Sequence, residues 1–271
     1  TNIDDLQFFY GGNFNLAVRV KSGHSEYFIK WTQGEHLGLF EAEAKNLQLI
    51  KNTGAIDVPS VLGVGTLDEK EYLMMECIQS AEKSANYWSD FGHKLAQLHQ
   101  NTGTLGHGLD YPNFLGAAKQ DNAWETNGVQ FFIEKRLKKQ VDAAVYHRRI
   151  SAELENRFEV LFEKLPNLIP NENSALLHGD LWSGNAMVND RGEITLVDPC
   201  SYFGLREAEL AFTTMFGGFP TEFYEAYHRT FPIEKGFHER IPLYNLYPLM
   251  VHVNLFGEGY LPAVNKILAS Y

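Results

Sequence analysis

Cysteine is scarce in this chain: among 271 residues, only Cys77 and Cys200 occur. Two cysteines far apart in the sequence cannot form a disulfide framework, and no paired-cysteine spacing suggests a thiolate zinc site. A protein without disulfides suits a reducing compartment. We therefore expect a cytoplasmic location.

An excess of positive charge is also missing. Lys and Arg number 23 against 34 Asp and Glu, which gives a formal charge of −11 at pH 7. A surface of this sign repels nucleic acid and anionic lipid, so neither is an expected partner. A single phosphate-bearing cofactor is still compatible, because a metal ion and a few local donors dominate at short range.

Long apolar runs are absent as well. No stretch reaches the length of a membrane span, and residues 1–20 lack the basic-then-apolar pattern of a secretory signal. There are ten histidines, but none stands in a His-Glu-x-x-His or similar ligand spacing, which argues against a zinc hydrolase.

The composition that remains is that of a globular protein. Hydrophobic residues make up 44% of the chain and aromatic residues 13%, enough for a sizeable core. A length of 271 residues fits one large domain or two lobes around a shared cleft.

The first third of the chain predicts an antiparallel sheet. Short apolar or alternating runs stand at 6–10, 16–20 and 26–30, and turn-residue clusters separate them. Residues 36–51 then show helical spacing with one apolar stripe. Two more strand-like runs follow, at 58–65 and 71–78.

The remainder is mostly helical. Helices are expected at 85–101, 127–145 and 151–165, and again across 220–271, where prolines should break them. Sheet followed by helices predicts an α+β protein with a cleft at the junction. We place the boundary after residue 78, between an N-terminal lobe (1–78) and a C-terminal lobe (79–271).

Residues 176–199 gather polar side chains around short apolar runs, in the sequence LLHGDLWSGNAMVNDRGEITLVDP. If 186–189 pairs with 194–197 as a hairpin, with Asn189 opposite Ile194, then Asn185 faces Asp198. Opposed residues have Cβ atoms about 4.5–5.5 Å apart, so the amide and the carboxylate could share one cation. Mg²⁺ favours such a set: oxygen ligands, few carboxylates, and phosphates completing the shell.

Asp180 precedes Asn185 on the same loop and would be free to accept a proton from a hydroxyl nucleophile. His178 is expected to buttress the loop instead of doing chemistry. Any one of these residues alone is more often structural, because Asp and Asn are common in turns. Their combination favours a phosphotransfer site.

This stretch resembles the catalytic and metal-binding segments of protein-kinase-like phosphotransferases, with HGDLWSGN as the catalytic loop and LVDP in place of Asp-Phe-Gly. Such enzymes pair a strand lysine with a helix glutamate on the nucleotide phosphates. Lys30 ends the third predicted strand, and Glu43 lies mid-helix. Glu35 and Glu41 are rivals, and Glu43 is chosen because EAKNLQLI resembles the corresponding helix of related small-molecule kinases.

Longer motifs are similar to those of the fructosamine kinases, also called ketosamine-3-kinases, from about residue 10 to the C-terminus. They are HGDLWSGN, DPCSYFGLREAELAFTTMFGGF, QDNAWETNGVQFFIEKRLKKQ and LYNLYPLMVHVNLFGEGY. The resemblance implies a bilobal protein-kinase-like fold. It also implies ATP- and Mg²⁺-dependent phosphorylation of the sugar 3-hydroxyl of ketosamines, which destabilises the adduct and frees the amine.

The resemblance also implies roles for individual residues. Asp180 would be the base, and Asn185 and Asp198 would hold Mg²⁺. The residues implied for nucleotide binding are Gly11, Gly12, Lys30, Glu43, Glu76, Cys77 and Ile78. Gly11 and Gly12 are the weakest of these, since a Gly-Gly pair is also what an ordinary hairpin uses.

For the sugar pocket we name Trp182, Tyr202 and Glu207. A Trp can stack on a sugar face, and Glu207 could bind hydroxyls or the cationic nitrogen of the ketosamine. The structural alternative stays open: Glu207 could pair with Arg206, and Tyr202 could be a packing residue. Gln120 and Trp124 could shape only the rim.

Three departures from the family pattern stand out. Cys200 replaces a common Ala, and Glu209 a common Asp. Some relatives carry a cysteine in the glycine-rich loop that allows redox-controlled dimerisation, whereas residues 10–15 contain none. We expect no such switch, and a monomer or weak homodimer.

Two other functions remain open at this stage. An aminoglycoside or choline-type kinase shares the His-x-Asp and Asn plan. A nucleotide-binding protein without catalysis would share the first lobe.

Overall fold

The first part of the chain forms one antiparallel sheet. The computed structural model describes residues 3–11, 15–32 and 38–271. The five strands of the sheet are β1 Asp5–Gly11, β2 Asn15–Ser22, β3 Ser25–Thr32, β4 Val61–Leu67 and β5 Lys70–Glu76. They are ordered β1-β2-β3-β5-β4, and every pair is antiparallel.

The predicted strands at 6–10, 16–20 and 26–30 are confirmed as β1, β2 and β3. The turn between β2 and β3 has two residues, because Ser22 pairs with Ser25. Gly23 occupies it with φ 61°, the left-handed conformation that glycine adopts without a steric cost. Lys30 lies on β3 opposite Leu73 of β5, near the middle of the sheet.

One helix, α1 Leu39–Thr53, lies between β3 and β4 and packs on the sheet. Phe40, Leu47 and Ile50 are buried on one face, and Glu43 falls on the same face at helical spacing. The predicted helix 36–51 is confirmed within the described residues. Its end is set by Gly54, which has φ 65° and donates its N–H to the Lys51 carbonyl.

The rest of the chain is mainly helical. Its helices are α2 Tyr87–His99, α3 Gly128–Phe131, α4 Lys138–Tyr146, α5 Ala152–Leu168, α6 Arg206–Phe212, α7 Thr221–Thr230, α8 Phe237–Phe256 and α9 Leu261–Leu268. A π-helical segment, Phe132–Leu137, joins α3 to α4. Within the described ranges, no helix is both long and apolar enough to cross a membrane.

The prediction that prolines break the C-terminal helices is wrong at two positions. Pro242 and Pro248 both lie inside the 20-residue α8. This helix is buried along most of its length against α4 and α6, and such packing outweighs the local cost of a missing backbone hydrogen bond.

Six short strands form three two-stranded pairs in the helical part. They are β6 Asn113–Leu115 with β7 Ala118–Gln120, β8 Ala175–Leu177 with β11 Tyr202–Gly204, and β9 Ala186–Val188 with β10 Ile194–Leu196. The first pair was not predicted, since three-residue strands carry almost no periodic signal. The β8–β11 pair brings the segment after residue 177 next to the segment before residue 202.

The boundary after residue 78 stays a prediction. The sheet ends with β5 at Glu76, and α2 begins at Tyr87. The segment between them runs past the β9–β10 hairpin, where the amide of Ala81 donates to the Asn189 carbonyl.

Candidate active site

The predicted catalytic loop follows β8. Gly179 has φ 92°, and a Cβ at this position would lie 2.2 Å from the Cys200 carbonyl oxygen, so only glycine fits. His178 is buried; its Nε2 donates to the Val197 carbonyl at 2.9 Å, and its Nδ1 accepts from the Asp180 amide at 3.3 Å. Burial lowers the pKa of His178, so its ring is neutral. These contacts are those of the expected buttress.

The side chain of Asn185 is hydrogen-bonded to Asp180. Its Nδ2 donates to the Asp180 carbonyl oxygen at 2.8 Å and to the carboxylate Oδ2 at 3.0 Å. Both bonds use the amide nitrogen, which leaves the Asn185 amide oxygen as the atom that could face a cation.

The predicted hairpin exists, but its predicted register is wrong by one residue. Ile194 pairs with Val188 instead of Asn189. Beyond the strands, the Val197 amide donates to the Asn185 carbonyl oxygen at 3.1 Å. Asn185 therefore lies opposite Val197, and Asp198 is the next residue along the chain.

The turn explains this difference. Asn189 and Glu193 close a three-residue loop, and the Asn189 side chain accepts from the amides of Arg191 and Glu193 at 3.0 Å each. Gly192 supplies a positive φ of 74°. This is a three-residue hairpin connection with glycine in the left-handed position, one residue shorter than the predicted turn.

Asp198 still faces the same cleft as Asn185. It departs from the hairpin with φ 57°, a left-handed conformation that is uncommon outside glycine and is enriched in Asp and Asn. Its carboxylate contacts the ammonium of Lys30, and both Asn185 and Asp198 line one cavity between the sheet and the helical part.

Lys30 connects the sheet, α1 and the loop at Asp198. Its ammonium donates to Glu43 at 2.8 Å and also to Asp198. Burial alone would lower the pKa of Lys30, but the two carboxylates outweigh it and raise that pKa above its ordinary value. The choice of Glu43 agrees with this geometry, because Glu41 is exposed and pairs with Lys45 at 2.7 Å. Glu35 lies outside the described residues.

A second contact ties α1 to the loop at Asp198. Buried Asn46, on the turn of α1 after Glu43, donates its Nδ2 to the Pro199 carbonyl at 3.1 Å and accepts from the Tyr111 hydroxyl at 3.0 Å. The position of α1 is therefore coupled to the backbone beside Asp198. Asn46 was not among the residues predicted from the sequence; its place on the apolar face of α1 was the signal that could have identified it.

The larger cavity, of about 500 Å³, lies between the sheet and the β9–β10 hairpin. Glu76, Cys77 and Ile78 line one side, and Lys30, Asn185 and Asp198 line the other. Glu76 is anchored to Ser60 by two hydrogen bonds, with N···O distances of 2.9 and 3.2 Å.

Gly11 pairs with Asn15 at the end of β1, and Gly12 lies outside the described residues. The predicted nucleotide roles of the whole set stay proposals.

A second cavity, of about 310 Å³, opens on the other side of the catalytic loop. Asp180 and Trp182 line it, together with apolar side chains of α8 and the end of α6. Trp182, 38% exposed, lies against Phe216 with ring centroids 5.9 Å apart. Asp180 itself lines this aromatic cavity, and it adjoins the polar cleft through its hydrogen bonds from Asn185, which lines that cleft.

Opposing interactions set the pKa of Asp180. Burial raises the pKa of Asp180 to about 7, the carboxylates of Asp198 and Glu209 act in the same direction, and the hydrogen bond from Asn185 opposes them. A carboxyl group that titrates near neutrality is suited to accept a proton at the pH at which an enzyme works.

The prediction that Glu207 binds substrate is wrong. Its side chain is completely buried, and its two oxygens accept from Arg240 at 2.6 and 2.7 Å and from the Tyr244 hydroxyl at 3.0 Å. The structural alternative holds, but with a different partner. Arg206, the expected partner, instead pairs with Glu172 at 2.6 Å.

Tyr202 is also a packing residue. It is 6% exposed, and the guanidinium of Arg136 lies 3.9 Å from its ring centroid. Gln120 is buried against the Tyr247 hydroxyl, and Trp124 stacks on Phe203. Of the three side chains predicted for the sugar pocket, only Trp182 reaches the second cavity.

Glu209 and His99 are functional candidates that sequence analysis did not assign. The Glu209 carboxylate accepts from the Gly179 amide at 2.6 Å and from His99 Nε2 at 2.8 Å. Burial would raise the pKa of Glu209, but the hydrogen bonds from His99 and Gly179 lower it, so the group stays ionised. This buried carboxylate holds the backbone on which Asp180 sits.

The donor set fits Mg²⁺. Asn185 and Asp198 offer oxygen atoms at the edge of a cleft that is large enough for phosphates, and hard cations prefer such ligands. In the part of the chain that the structure describes, no cluster of three or more His, Cys, Asp or Glu side chains is placed to hold a metal by itself.

Comparison with known proteins places these features in a family. The model of the family described as fructosamine kinase matches residues 1–271. A probable ketoamine kinase of Synechocystis sp. is 36% identical over 260 residues, covering 95% of this chain and 87% of that protein. A crystal structure from Haemophilus somnus 129PT, named as a fructosamine-3-kinase, has a TM-score of 0.89 at 29% identity and covers 99% of this chain and 91% of that one.

A more distant structure extends the likeness in fold. Spectinomycin phosphotransferase APH(9)-Ia, solved with ADP and spectinomycin, has a TM-score of 0.59 at 18% identity and covers 99% of this chain and 88% of that chain. At this identity the likeness concerns the fold alone. The predicted α+β, kinase-like fold is confirmed.

Proposed function

Because the chain belongs to the fructosamine kinase family, we propose that it transfers the γ-phosphoryl group of ATP to the sugar 3-hydroxyl of ketosamines. Phosphorylation at this position would destabilise the adduct and free the amine, which makes the activity a deglycation repair. The observation that carries the proposal is the position of Asp180, which lines the aromatic cavity and is hydrogen-bonded to Asn185 of the polar cleft.

Each side of the site has a separate task. Asp180 orients the acceptor hydroxyl and takes its proton, and Asn185 fixes the rotamer of that carboxylate through its amide nitrogen. Asn185 and Asp198 would hold Mg²⁺, and Lys30, fixed by Glu43, would contact the phosphates. A metal–nucleotide complex bound there supplies the phosphoryl group and the charge that favours ionised Asp180.

The adenine side of the cleft is assigned to Glu76, Cys77 and Ile78, with Gly11 and Gly12 near the phosphates. These assignments are supported by the cavity that reaches from residues 76–78 to Lys30 and Asp198. Trp182 is retained as a sugar-stacking residue. A cytoplasmic location and a monomeric or weakly dimeric state also belong to the proposal.

A substrate panel tests the proposal directly. The protein is incubated with Mg²⁺–ATP and, in separate reactions, ribuloselysine, fructoselysine, an aminoglycoside and choline, and phosphorus NMR locates the phosphate on any product. We expect phosphate on the 3-hydroxyl of a ketosamine. Phosphorylation of only the aminoglycoside or choline would move the chain to another substrate class.

The variant Asp180→Ala separates chemistry from binding. We expect turnover to fall by about 10³-fold or more, with nucleotide affinity almost unchanged, because the side chain acts on the acceptor. Undiminished turnover by this variant would remove Asp180 from the mechanism, and a binding protein without catalysis would show no turnover in the wild type either.

A further inference from the structure

The cavity beside Asp180 continues away from it along a row of aromatic rings. Trp182 lies 5.9 Å from Phe216, Phe216 lies 5.5 Å from His252, and His252 lies 5.4 Å from Phe256, measured between ring centroids. All four side chains line the same cavity of about 310 Å³. The row starts at the proposed base and ends at the partly exposed Phe256, at the end of α8.

The lining has almost no charge. Asp180 is the one carboxylate among the described residues of this wall, and no Lys or Arg belongs to it. His252 is tied back to its own helix, because its Nδ1 donates to the Pro248 carbonyl at 2.6 Å. A cavity with this lining cannot neutralise an anionic ligand, and it carries too few acids for a polycation.

We propose that this aromatic row binds the amine-derived arm of the ketosamine, and that it selects arms that are apolar or aromatic and carry no carboxylate next to the nitrogen. This inference rests on the proposed function. The aromatic row takes the role first predicted for Glu207, which is buried and cannot contact the cationic nitrogen of the ketosamine.

The chemistry of a ketosamine sets the order of contacts along the wall. The nitrogen is bonded to sugar carbon C1 and the acceptor hydroxyl to C3, so the nitrogen lies close to the base when the hydroxyl does. It then falls near Trp182 and Phe216, whose ring faces attract an ammonium group within about 6 Å. The substituent on the nitrogen continues toward His252 and Phe256.

A carboxylate beside the nitrogen would be unfavourable in this position. It would lose its hydration in an apolar wall that offers no cation, and it would approach the negative charge of Asp180. An arm made of methylene groups or an aromatic ring instead gains burial against the rings. The lysine side chain of a glycated protein is such an arm, because the carboxyl group of that lysine forms a peptide bond and carries no charge.

A matched pair of substrates tests the inference on the wild-type enzyme. The ketosamines of phenethylamine and phenylalanine differ by one carboxylate beside the nitrogen, and the ketosamine of methylamine has no arm. We expect kcat/KM for the phenethylamine adduct to exceed that for the phenylalanine adduct by about tenfold or more. Equal values for the pair would overturn the inference.

The variant Phe256→Ala tests the wall itself. We expect the ratio of kcat/KM between the phenethylamine and methylamine adducts to fall by about tenfold, through a higher KM for the phenethylamine adduct. The control is Tyr146→Ala, which removes an aromatic ring that is 82% exposed and does not line the cavity. An unchanged ratio in Phe256→Ala would overturn the inference.

The two proposals fail in different ways. If the methylamine adduct is phosphorylated and the arms make no difference, the inference is wrong and the proposed function stands. If no ketosamine accepts phosphate from ATP, both are wrong.

Discussion

The two cavities beside the proposed catalytic loop have different linings, one polar and charged and the other aromatic. The cleft on the sheet side is lined by the buried Lys30, by the Asp198 carboxylate in contact with it, and by the amide of Asn185. The cavity on the helical side is a wall of rings with one carboxylate. A triphosphate needs charge compensation and a metal, whereas a sugar with an organic arm needs shape and apolar contact.

The buried ion pairs are also of two kinds, those that face a cavity and those that do not. The group around Lys30 faces a large cavity, and Asp198 keeps 47% of its side chain exposed. The pair of Glu207 with Arg240 faces none, and the Glu207 side chain is fully buried. The first is placed to meet a ligand, and the second to hold α6 against α8.

On the nucleotide side, the largest effect is expected from Asp198→Asn. We expect kcat/KM to fall by about 10³-fold, equivalent to about 4 kcal/mol, because the change removes the only full negative charge in the proposed Mg²⁺ site. Steady-state kinetics and titration with ATP, with and without Mg²⁺, measure it. Asp57→Asn is the control, because it breaks an exposed pair with Arg191 outside the cleft. Unchanged affinity for Mg²⁺–ATP in Asp198→Asn would refute the metal role.

Glu207→Gln is expected to affect stability and not substrate binding. Removing the charge of the fully buried Glu207 leaves the largely buried Arg240 without its carboxylate partner, and we expect the free energy of unfolding to fall by about 3 kcal/mol. Urea denaturation measures the loss. Glu225→Gln, which breaks an exposed pair with Arg229 on α7, should change stability little. A raised KM for ketosamine at full stability would return Glu207 to the substrate pocket.

The pair Glu43→Gln and Glu41→Gln compares two glutamates on opposite faces of α1. We expect Glu43→Gln to raise the KM for ATP and lower kcat, with a combined loss of about 10- to 30-fold, because Lys30 loses one of its two carboxylate partners. Glu41→Gln should behave as the wild type, since it loses only a surface contact with Lys45. Equal losses in the two variants would contradict the assignment of Glu43.

The smallest effect is a gain of stability in Asp180→Asn. Because the pKa of Asp180 is raised to about 7 in the folded protein, folding opposes its ionisation, and stability is lost as the pH rises from about 4 to about 7. Asn does not ionise, so the stability of the variant does not fall through this titration. We expect the variant to gain about 1 to 2 kcal/mol over the wild type above pH 7, with the difference shrinking toward pH 5.

Urea denaturation between pH 5 and 8.5, without nucleotide or Mg²⁺, measures this difference. A stability difference that stays constant across the range would show that folding does not raise the pKa of Asp180. A variant that is less stable than the wild type above pH 7 would contradict the prediction outright.

Local patterns predicted the elements of the first lobe well. The alternation in β1 to β3 and the apolar stripe of α1 reflect burial of one face, and that pattern is written in consecutive residues. The same stripe places Glu43 with Phe40 and Leu47 and turns Glu41 to solvent. This arrangement agrees with the choice of Glu43, which was made from the resemblance of its helix to that of related kinases.

The errors arose where one turn or one distant partner decides the outcome. The hairpin register depended on whether Asn189 or Val188 faces Ile194, and the hydrogen bonds of the loop decided it. Glu207 has Arg206 beside it in the sequence, but its partner, Arg240, comes from another helix. His99 of α2 and Glu209 of α6 likewise lie far apart in the chain and meet only in the folded structure.

The sequence by itself therefore determined the α+β order of elements, and with the family resemblance it led to the proposed catalytic loop and the proposed polar set of Lys30, Glu43, Asp180, Asn185 and Asp198. The order of elements depends on local periodicity, and the polar set was named from residue types at short spacing together with the resemblance to kinases. Only the tertiary structure decided which buried acids are paired off and which face a cavity, and that aromatic rings line the second cavity beside Asp180. Pairing and enclosure depend on side chains that lie far apart in the chain and become neighbours only when the helices pack.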